Sequence, residues 1–378
     1  MMRHALSLFL LAALWTRPAA AVEHVVFRQN DEEVSVTGRL VVKAEDEGML
    51  LLSADGTLWS VEPQNLVRHK HDDEPLKPLS SDQLAERLRE EFPGFEIHTT
   101  QHYLICYNTS RAYAQWCGAL FERVYKAFTN FWSRKDFVLH EPEFPLVAIV
   151  FASKESYEAQ TNKHLGQIAG KAIGFYHIAS NRIFTYDLTG SQALRRPGDK
   201  RGNPNEINQM LARPEAELNV ATVIHEATHQ IGYSCGLQAR YSAIPIWLSE
   251  GMAIYFETPD LNNSKGWRTI GAVNQARLAR FRAYLRSRPP DSLASLIASD
   301  DRLRNRELAE DAYAEAWALH YFLIRQRPKQ YMAYIKLMSE KGALIQDDAE
   351  TRIAEFQQAF GDMRQLDGEF VKQMAKVH

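Results

Sequence analysis

The sequence lacks an excess of charge of either sign. Its 44 Lys and Arg residues nearly balance 47 Asp and Glu residues, and the formal net charge is −3. Charged runs are short and mixed in sign, so nothing indicates the basic surface that nucleic-acid binding requires. We therefore expect no nucleic-acid partner.

Long apolar runs are also missing, except near the first residue. Met1-Met2-Arg3-His4 is a short basic start, residues 5–15 are mostly apolar, and Ala19-Ala20-Ala21 supplies small residues. The apolar run is too short to span a bilayer, and the whole pattern is typical of a cleavable signal peptide over residues 1–21. A membrane anchor is the alternative, which the shortness of the run disfavours. We predict cleavage after Ala21 and a secreted or periplasmic protein without stable membrane insertion after cleavage.

Cysteine is scarce, with three residues in 378. Cys106 lies in a strand-like run, and Cys117 lies on the apolar stripe of the next predicted helix. Because these elements are adjacent in the chain, a disulfide between the two is possible, and two buried free thiols are the alternative. Cys235 is left over in either case.

Composition and length are those of an ordinary globular protein. Hydrophobic residues make up 45% of the chain and charged residues 24%, and 378 residues are enough for one large or two modest domains. Residues 22–75 contain short alternating apolar runs, two of which flank the hairpin signal Asp55-Gly56. We predict a small antiparallel β domain there. Residues 69–74 are charged and are not flanked by apolar residues, so we interpret them as a solvated linker rather than as a metal-binding cluster.

Residues 76–262 alternate between helical and strand-like patterns. A long amphipathic helix is predicted over residues 110–132, and the continuous apolar run 146–151 is typical of a buried strand. Residues 263–378 are a succession of amphipathic helices. The predicted fold class is therefore α+β, with an N-terminal β domain, a mixed sheet with helices, and a helical C-terminal part.

One stretch combines metal-binding and acid–base side chains. Residues 223–230 read V-I-H-E-A-T-H-Q within an apolar pattern that predicts a buried helix ending near Gly232. His225 and His229 are four residues apart and project from one helix face, where their imidazoles can bind one cation together. Glu226 points about 100° away, so it cannot easily share the metal but can reach water at the metal.

A second helical stretch contains another candidate ligand. Residues 245–257 read P-I-W-L-S-E-G-M-A-I-Y-F-E and begin with a proline suited to a helix start. Glu250 is a carboxylate within this mostly apolar helix, and such a group is rarely buried without a partner. A zinc ion would be such a partner. Three protein ligands plus water are the pattern of a catalytic zinc site rather than a closed structural one.

H-E-A-T-H followed by W-L-S-E-G-M-A-I-Y-F-E resembles the gluzincin metallopeptidases, the class with H-E-x-x-H and a distant Glu ligand. Glu250 lies twenty-one residues after His229, and W-L-x-E-G-x-A is similar to the third-ligand helix of the gluzincin aminopeptidases. The wider pattern resembles bacterial secreted proteins with a peptidase-MA-like domain. The resemblance implies a zincin-like domain over residues 76–262 that binds one Zn²⁺ per chain through His225, His229 and Glu250. It also implies that Glu226 is the general base.

The same resemblance adds a candidate catalytic residue, Tyr313. The form Y-x-x-A-W-A-L, beginning at Tyr313, resembles the aminopeptidase segment whose tyrosine hydrogen-bonds the tetrahedral intermediate. A core tyrosine on a buried helix is the alternative. His320 lies two turns further on the same face, and we interpret it as a core histidine rather than a second donor. Glu257 shares a face with Glu250 and is either a support for a metal ligand or a solvent-facing carboxylate.

Two segments before the H-E-x-x-H helix could border a cleft. Residues 174–177 and 182–186 predict a hairpin. In gluzincins the strand at the edge of the cleft holds extended substrate by main-chain pairing, so the hairpin is a candidate for that role or simply closes the sheet. Residues 188–217 are polar and rich in Gly and Pro. We interpret them as a solvated, disordered insertion, with a segment that borders the cleft as the alternative.

The G-x-M-E-N stretch that binds the substrate amino terminus in gluzincin aminopeptidases is missing. Its absence argues against an aminopeptidase. The predicted function is an exported zinc metallopeptidase that acts on a peptide or protein substrate, with the helical C-terminal part closing the cleft. Two other functions stay open: a scaffold protein with a structural or vestigial metal, and a zinc hydrolase acting on a cell-wall bond.

Overall fold

A computed structural model of the chain describes residues 21–165, 172–262 and 269–378. Apart from Ala21, the predicted signal peptide lies outside these ranges. The chain forms two compact units: the described residues up to Ala54 with Leu58–Lys77, and Asp55–Thr57 with Pro78–His378. Within the described ranges, no helix combines the length and the apolar character that a membrane crossing requires.

The first unit is a five-stranded antiparallel sheet with strand order β4-β3-β2-β1-β5. The strands are β1 (Ala21–Gln29), β2 (Glu32–Lys43), β3 (Met49–Ser53), β4 (Leu58–Val61) and β5 (Leu66–Pro75). Alternate apolar side chains of these strands form a small core that includes Val25, Phe27 and Leu51. The predicted antiparallel β structure is confirmed.

Strand β5 shows that the interpretation of residues 69–74 as a linker is wrong. The strand pairs with β1, and His69 lies opposite Val25. The His69 imidazole Nε2 lies 2.6 Å from the Glu23 carboxylate on β1. Because β5 is an edge strand whose side chains are mostly exposed, it has no apolar alternation that would reveal it in the sequence.

The second unit contains a mixed sheet with strand order β6-β7-β8-β10-β9. The strands are β6 (Glu96–Thr99), β7 (Tyr103–Tyr107), β8 (Leu146–Phe151), β9 (Gly174–His177) and β10 (Arg182–Tyr186). The three central strands, β7, β8 and β10, are parallel, whereas β6 and β9 are antiparallel edge strands. β9 and β10 form the predicted hairpin, so one free edge of the sheet is an antiparallel strand.

Helices cover both faces of this sheet. They are α1 (Ser81–Glu91), α2 (Arg111–Ser133), α3 (Lys154–Leu165), α4 (Pro204–Leu211), α5 (Glu217–Ser234) and α6 (Ile246–Phe256). α1 begins with a capping box between Ser80 and Gln83. Side chains of α1 and α3 pack on one face, and α2 and α5 pack on the other.

All three cysteines are buried free thiols. Cys106 on β7 packs with Leu84 and Leu88 of α1, on one face of the sheet. Cys117 on α2 belongs to the core on the opposite face. Successive strand residues face opposite sides of a sheet, so the two thiols are separated by the sheet itself. Of the two alternatives for this pair, free thiols are the correct one.

Residues 188–217 form a packed segment, and the interpretation as a disordered insertion is wrong. The segment contains three short 3₁₀ turns and α4, and it buries apolar side chains in the main core. Arg213 forms a two-bond ion pair with Asp199, with nitrogen–oxygen distances of 2.5 and 2.9 Å. None of these residues lines the cleft described below, so the alternative interpretation is also wrong.

The remaining part of the second unit is helical. Its helices are α7 (Gln275–Tyr284), α8 (Ser292–Ala298), α9 (Asp301–Arg304), α10 (Ala309–Gln326), α11 (Pro328–Ser339), α12 (Ala349–Phe360) and α13 (Met363–Met374). α10 is the central helix and packs against α6, α7, α9, α11 and α13. Its fully buried Glu315 bonds to Arg288 at 2.7 Å and to Arg302 at 2.8 Å. The predicted α+β fold class, with a mixed second sheet and a helical C-terminal part, is confirmed.

Candidate metal centre

Helix α5 is fixed to the sheet by a buried amide. The Gln230 Nε2 donates to the carbonyl oxygens of Val147 (3.0 Å) and Asn181 (2.7 Å). Ile224, Ala227 and Ile231 on the same helix are buried in the main core, so the helix has a defined rotation about its axis. With that rotation, His225, Glu226 and His229 line a cleft on the other side. The helix continues through Gly232 to Ser234, so the predicted end at Gly232 is wrong.

Helix α6 brings Glu250 to this cleft through a close crossing with α10. A Cβ atom at Gly251 would lie 2.7 Å from the Ala316 carbonyl oxygen and 3.1 Å from the His320 Cβ. Only glycine therefore allows α6 and α10 to pack this closely without displacement of the backbone. The glycine that follows Glu250 in the motif thus helps to determine where the carboxylate lies.

Three candidate ligand groups converge in the cleft. The Nε2 atoms of His225 and His229 are 3.1 Å apart. The Glu250 carboxylate lies 3.1 Å from the His225 Nε2 and 3.3 Å from the His229 Nε2. Among the described residues, this is the only group of three or more His, Cys, Asp or Glu side chains spaced to hold one metal ion.

Each imidazole has a second partner on its other ring nitrogen. The His225 Nδ1 lies 3.0 Å from the Glu257 Oε2, and the Glu257 Oε1 accepts a hydrogen bond from the Asn274 Nδ2 at 3.1 Å. The His229 Nδ1 lies 3.3 Å from the Ser249 hydroxyl. Such partners orient metal-binding histidines in proteins. Glu257 lines the cleft and is not a solvent-facing carboxylate, which decides between the two alternatives for this residue.

The chemistry of the three groups fits a zinc ion. When a neutral His225 donates its Nδ1–H to the Glu257 carboxylate, the ring turns an unprotonated Nε2 toward His229 and Glu250. Electron pairs that converge in this way require a cation or a proton between them. Tetrahedral zinc with bonds of about 2.0–2.1 Å has ligand atoms about 3.3 Å apart, close to the observed spacing.

The pKa shifts of His225 and Glu250 show that these groups interact strongly. Burial lowers the pKa of the His225 imidazole, but hydrogen bonds to Glu250 and Glu257 outweigh burial and hold that pKa well above its usual value. Burial raises the pKa of Glu250, but the interactions with His229 and His225 outweigh burial and hold that pKa well below its usual range. The raised pKa of His225 and the lowered pKa of Glu250 therefore share one cause, which is the attraction between the two groups.

Glu226 lies in the same cleft but outside the ligand group. Its Oε2 accepts a hydrogen bond from the backbone N–H of Tyr176 on β9 at 2.7 Å. Burial raises the pKa of the Glu226 carboxyl, and the neighbouring charges of His225 and His229 oppose that rise. The residue is thus a partly buried carboxylate that bonds to the edge strand and lies beside the candidate metal position.

The structure brings Tyr313 of α10 into the cleft as well. Its hydroxyl has no hydrogen-bond partner within the described part of the chain. Burial raises the pKa of the phenol, so it stays protonated near neutral pH and can donate a hydrogen bond. The Arg277 guanidinium of α7 lies over its ring, 5.7 Å from the ring centroid.

His320 is a core residue, and our interpretation of it is confirmed. It is fully buried, its Nδ1 lies 3.2 Å from the Tyr331 hydroxyl, and it does not line the cleft. Burial lowers the pKa of this imidazole to about 3, so it is neutral at physiological pH. It cannot act as a second oxyanion donor beside Tyr313.

The cleft has a volume of about 530 Å³ and walls of different character. Apolar and aromatic side chains form much of it: Tyr176, Ile178, Tyr233, Ile244 and Ile246. The Tyr176 N–H bonds to Glu226 instead of β10, so this residue of β9 turns its main-chain groups to the free edge of the sheet. The cleft is therefore bordered by an edge strand on the side of Glu226.

Sequence reasoning assigned no role to Ser249, Asn274 and Arg277, and it placed Tyr176 only within a hairpin that could border the cleft. Ser249 carried a usable signal, because it is a polar residue next to Glu250 in an otherwise apolar helix. Asn274 and Arg277 carried none, because their partners lie in other elements. Tyr176 contributes its backbone N–H, which any residue at that position except proline would supply.

A family model described as "Protein of unknown function (DUF1570)" matches residues 219–344. The match covers one third of the chain. No curated protein matches the sequence. The matched segment runs from α5 to just beyond α11, and so it contains the three candidate ligands together with Glu226 and Tyr313.

Proposed function

We propose that the chain is an exported zinc-dependent metallopeptidase. The proposal rests on one observation: His225, His229 and Glu250 converge with separations of 3.1–3.3 Å, and Glu226 lies beside them in the same cleft. A purely structural metal site does not require a partly buried carboxylate, such as Glu226, outside its ligand group. The basic and apolar start of the sequence supports export.

His225 and His229 would hold the zinc ion through their Nε2 atoms, and Glu250 through its carboxylate. A zinc ion with three protein ligands supplies a Lewis acid that makes water nucleophilic near neutral pH. Glu257 and Ser249 would keep the two imidazole rings oriented through their Nδ1 atoms.

Glu226 would act as the general base. It would take a proton from water as the water attacks the scissile carbonyl, and would then pass the proton to the leaving amine. The Tyr176 N–H holds one of its oxygens, and the other oxygen has no hydrogen-bond partner among the described residues. Burial strengthens the base, because it moves the carboxyl pKa upward, toward the pH at which the enzyme works.

Tyr313 would stabilise the tetrahedral intermediate. Its protonated phenol lies in the cleft and has a free O–H to donate to the developing oxyanion. A donor whose position is set by a buried helix loses little entropy when it binds the charge.

The edge strand β9 supports an extended peptide as the substrate. The N–H and C=O groups of alternate residues on an antiparallel edge strand point away from the sheet, where a peptide can pair with them. Tyr176 and Ile178 line the cleft at this edge, so a peptide paired there would pass Glu226 and the candidate metal position.

Zinc content and hydrolysis test the proposal together. The chain from residue 22 onward is purified without chelator, and zinc is measured by elemental analysis beside cleavage of casein and short peptides. Glu226→Gln should keep its zinc and lose at least about 100-fold in hydrolysis, because general base catalysis contributes that much. Glu250→Ala should lose the zinc. Glu217→Gln, an exposed position on the same helix, is the matched control and should behave like the wild type.

Two outcomes would refute the proposal. One is substantial hydrolysis by Glu226→Gln, and the other is a well-folded wild-type protein that takes up no zinc even when zinc is supplied. Cleavage of peptidoglycan without cleavage of casein or peptides would keep the site and replace the substrate.

A further inference from the structure

The cleft contains a guanidinium that forms no ion pair with a carboxylate in the described part of the chain. Arg277 of α7 is half-buried, lines the cleft, and lies over the Tyr313 ring at 5.7 Å. Its side chain forms no ion pair and no hydrogen bond to any other residue that the structure describes. The next arginine on the helix differs, since Arg280 bonds to Asp311 at 2.6 Å and lies 3.2 Å from Glu310.

The carboxylates that line the cleft together with Arg277 form hydrogen bonds or ion pairs with other groups. Glu250 faces the two histidines, and Glu226 accepts the Tyr176 N–H. Glu257 uses one oxygen for His225 and the other for Asn274, which caps the helix that carries Arg277. A partly buried charge without a counterion is unfavourable, and an anionic ligand would relieve it.

We propose that Arg277 is a specificity residue that binds a carboxylate of the substrate next to the scissile bond. This inference rests on the proposed peptidase function. The planar guanidinium matches a carboxylate with two parallel hydrogen bonds, which no other side chain provides as well. The carboxylate belongs either to the free C-terminus of a peptide or to an Asp or Glu side chain.

The position of Arg277 limits how far the carboxylate lies from the reacting carbonyl. The guanidinium carbon lies 5.7 Å from the ring centroid of Tyr313, the proposed oxyanion donor. Consecutive Cα atoms are about 3.8 Å apart, so the bound carboxylate lies within about two residues of the scissile bond. The enzyme would therefore remove one or two residues from a C-terminus, or cleave beside an acidic residue.

Binding to a hydrolysis-deficient protein tests this without relying on catalysis. Zinc-loaded Glu226→Gln is titrated by calorimetry with three probes: acetyl-Ala-Phe-Leu as the free acid, the same peptide as its amide, and acetyl-Ala-Phe-Asp amide. The phenylalanine suits the apolar wall formed by Ile178, Ile244 and Ile246. The free acid should bind about tenfold or more tightly than its amide, as expected for a charge-assisted hydrogen-bonded pair. Comparison of the acid with the Asp amide distinguishes a C-terminal carboxylate from an acidic side chain.

Substitution of Arg277 assigns the preference to this residue. In the Glu226→Gln background, Arg277→Gln should bring the affinities for the acid and amide within about twofold, and Arg277→Lys should restore part of the difference. Arg280→Gln removes the same charge from the same helix outside the cleft and should leave the preference intact. The inference is overturned if neither the free acid nor the Asp amide binds more tightly than the Leu amide, or if the preference survives Arg277→Gln.

Hydrolysis by the wild-type protein is scored separately. If it cleaves neither peptide while Glu226→Gln still prefers the acid, the peptidase proposal fails and the carboxylate subsite stands. If Arg277→Gln lowers kcat equally for acid and amide, and binding shows no preference, Arg277 acts on the transition state and the subsite is refuted.

Discussion

Glu257 allows a quantitative test of the candidate metal site, because it bonds to a candidate ligand, His225, and does not belong to the ligand group itself. Its side chain is 12% exposed, and its two oxygens accept from the His225 Nδ1–H and from the Asn274 amide. Glu257→Gln keeps the size of the side chain but leaves a single acceptor oxygen. Whichever way the new amide turns, its NH₂ group faces one of the two donors.

The expected loss follows from the kind of hydrogen bond that is removed. A hydrogen bond to a charged group contributes about 1.5–3 kcal/mol, and each 1.4 kcal/mol is a factor of about ten in affinity. We therefore expect zinc to bind roughly 10- to 100-fold more weakly, which agrees with the usual effect of such substitutions beside metal ligands.

Competition with a chromogenic chelator at fixed pH and ionic strength measures the change in the zinc Kd. Glu217→Gln on the exposed side of α5 controls for the loss of a negative charge, and circular dichroism checks that both variants are folded. A zinc Kd within about twofold of the wild type would mean that the contact between Glu257 and His225 does not support the metal. The reasoning from this contact would then be wrong.

Three further predictions concern the scaffold. Gly251→Ala should lower the free energy of unfolding by about 1–3 kcal/mol, because the new Cβ would lie 2.7 Å from the Ala316 carbonyl oxygen; an unchanged urea midpoint would contradict the close crossing. Cys106 should resist a thiol reagent until the protein unfolds, since burial raises its pKa to about 12; rapid labelling of native protein would contradict this. The hydrogen bond to Glu23 raises the pKa of His71 above its usual value of 6.5, so this contact stabilises the fold below about pH 6.5 and is lost as the pH rises through the folded-state pKa. An NMR titration should show the raised pKa, and Glu23→Gln should remove it.

The local part of the site was predictable because its geometry depends only on helix periodicity. His225 and His229 share a face whatever the rest of the chain does, and Glu226 must then lie beside that face. The approach of Glu250 is not local. It depends on a crossing of α6 and α10 at Gly251, and the sequence indicated it only through the similarity of the surrounding motif to known third-ligand helices.

The basic side of the cleft was not predictable for a similar reason. The region of α7 contains several arginines with similar neighbours in sequence, including Arg277, Arg280 and Arg282. Which of them lies unpaired in the cleft depends on where Asp311 and its neighbours on α10 come to lie. That arrangement is a result of tertiary packing, and no periodicity or composition encodes it.

The wrong interpretations of β5 and of the segment 188–217 share a physical cause. β5 and the segment 188–217 are both polar in composition, and polar composition is usually a sign of a loop. β5 nevertheless forms a strand because β1 supplies its backbone partners, and an edge strand needs no apolar face. The segment 188–217 packs through a few apolar residues, such as Ile207 and Met210, that are too sparse to form a visible pattern.

Arg288 links helix α13 to the buried Glu315 of α10, the helix that carries Tyr313. Arg288 bonds to Glu315 on α10 at 2.7 Å and to Asp367 on α13 at 2.5 and 2.9 Å. Removal of α13 would take away the Asp367 carboxylate and leave Glu315 as the one carboxylate partner of Arg288 among the described residues. An engineer who wishes to shorten the protein should therefore keep α13, because it packs against the helix that carries Tyr313.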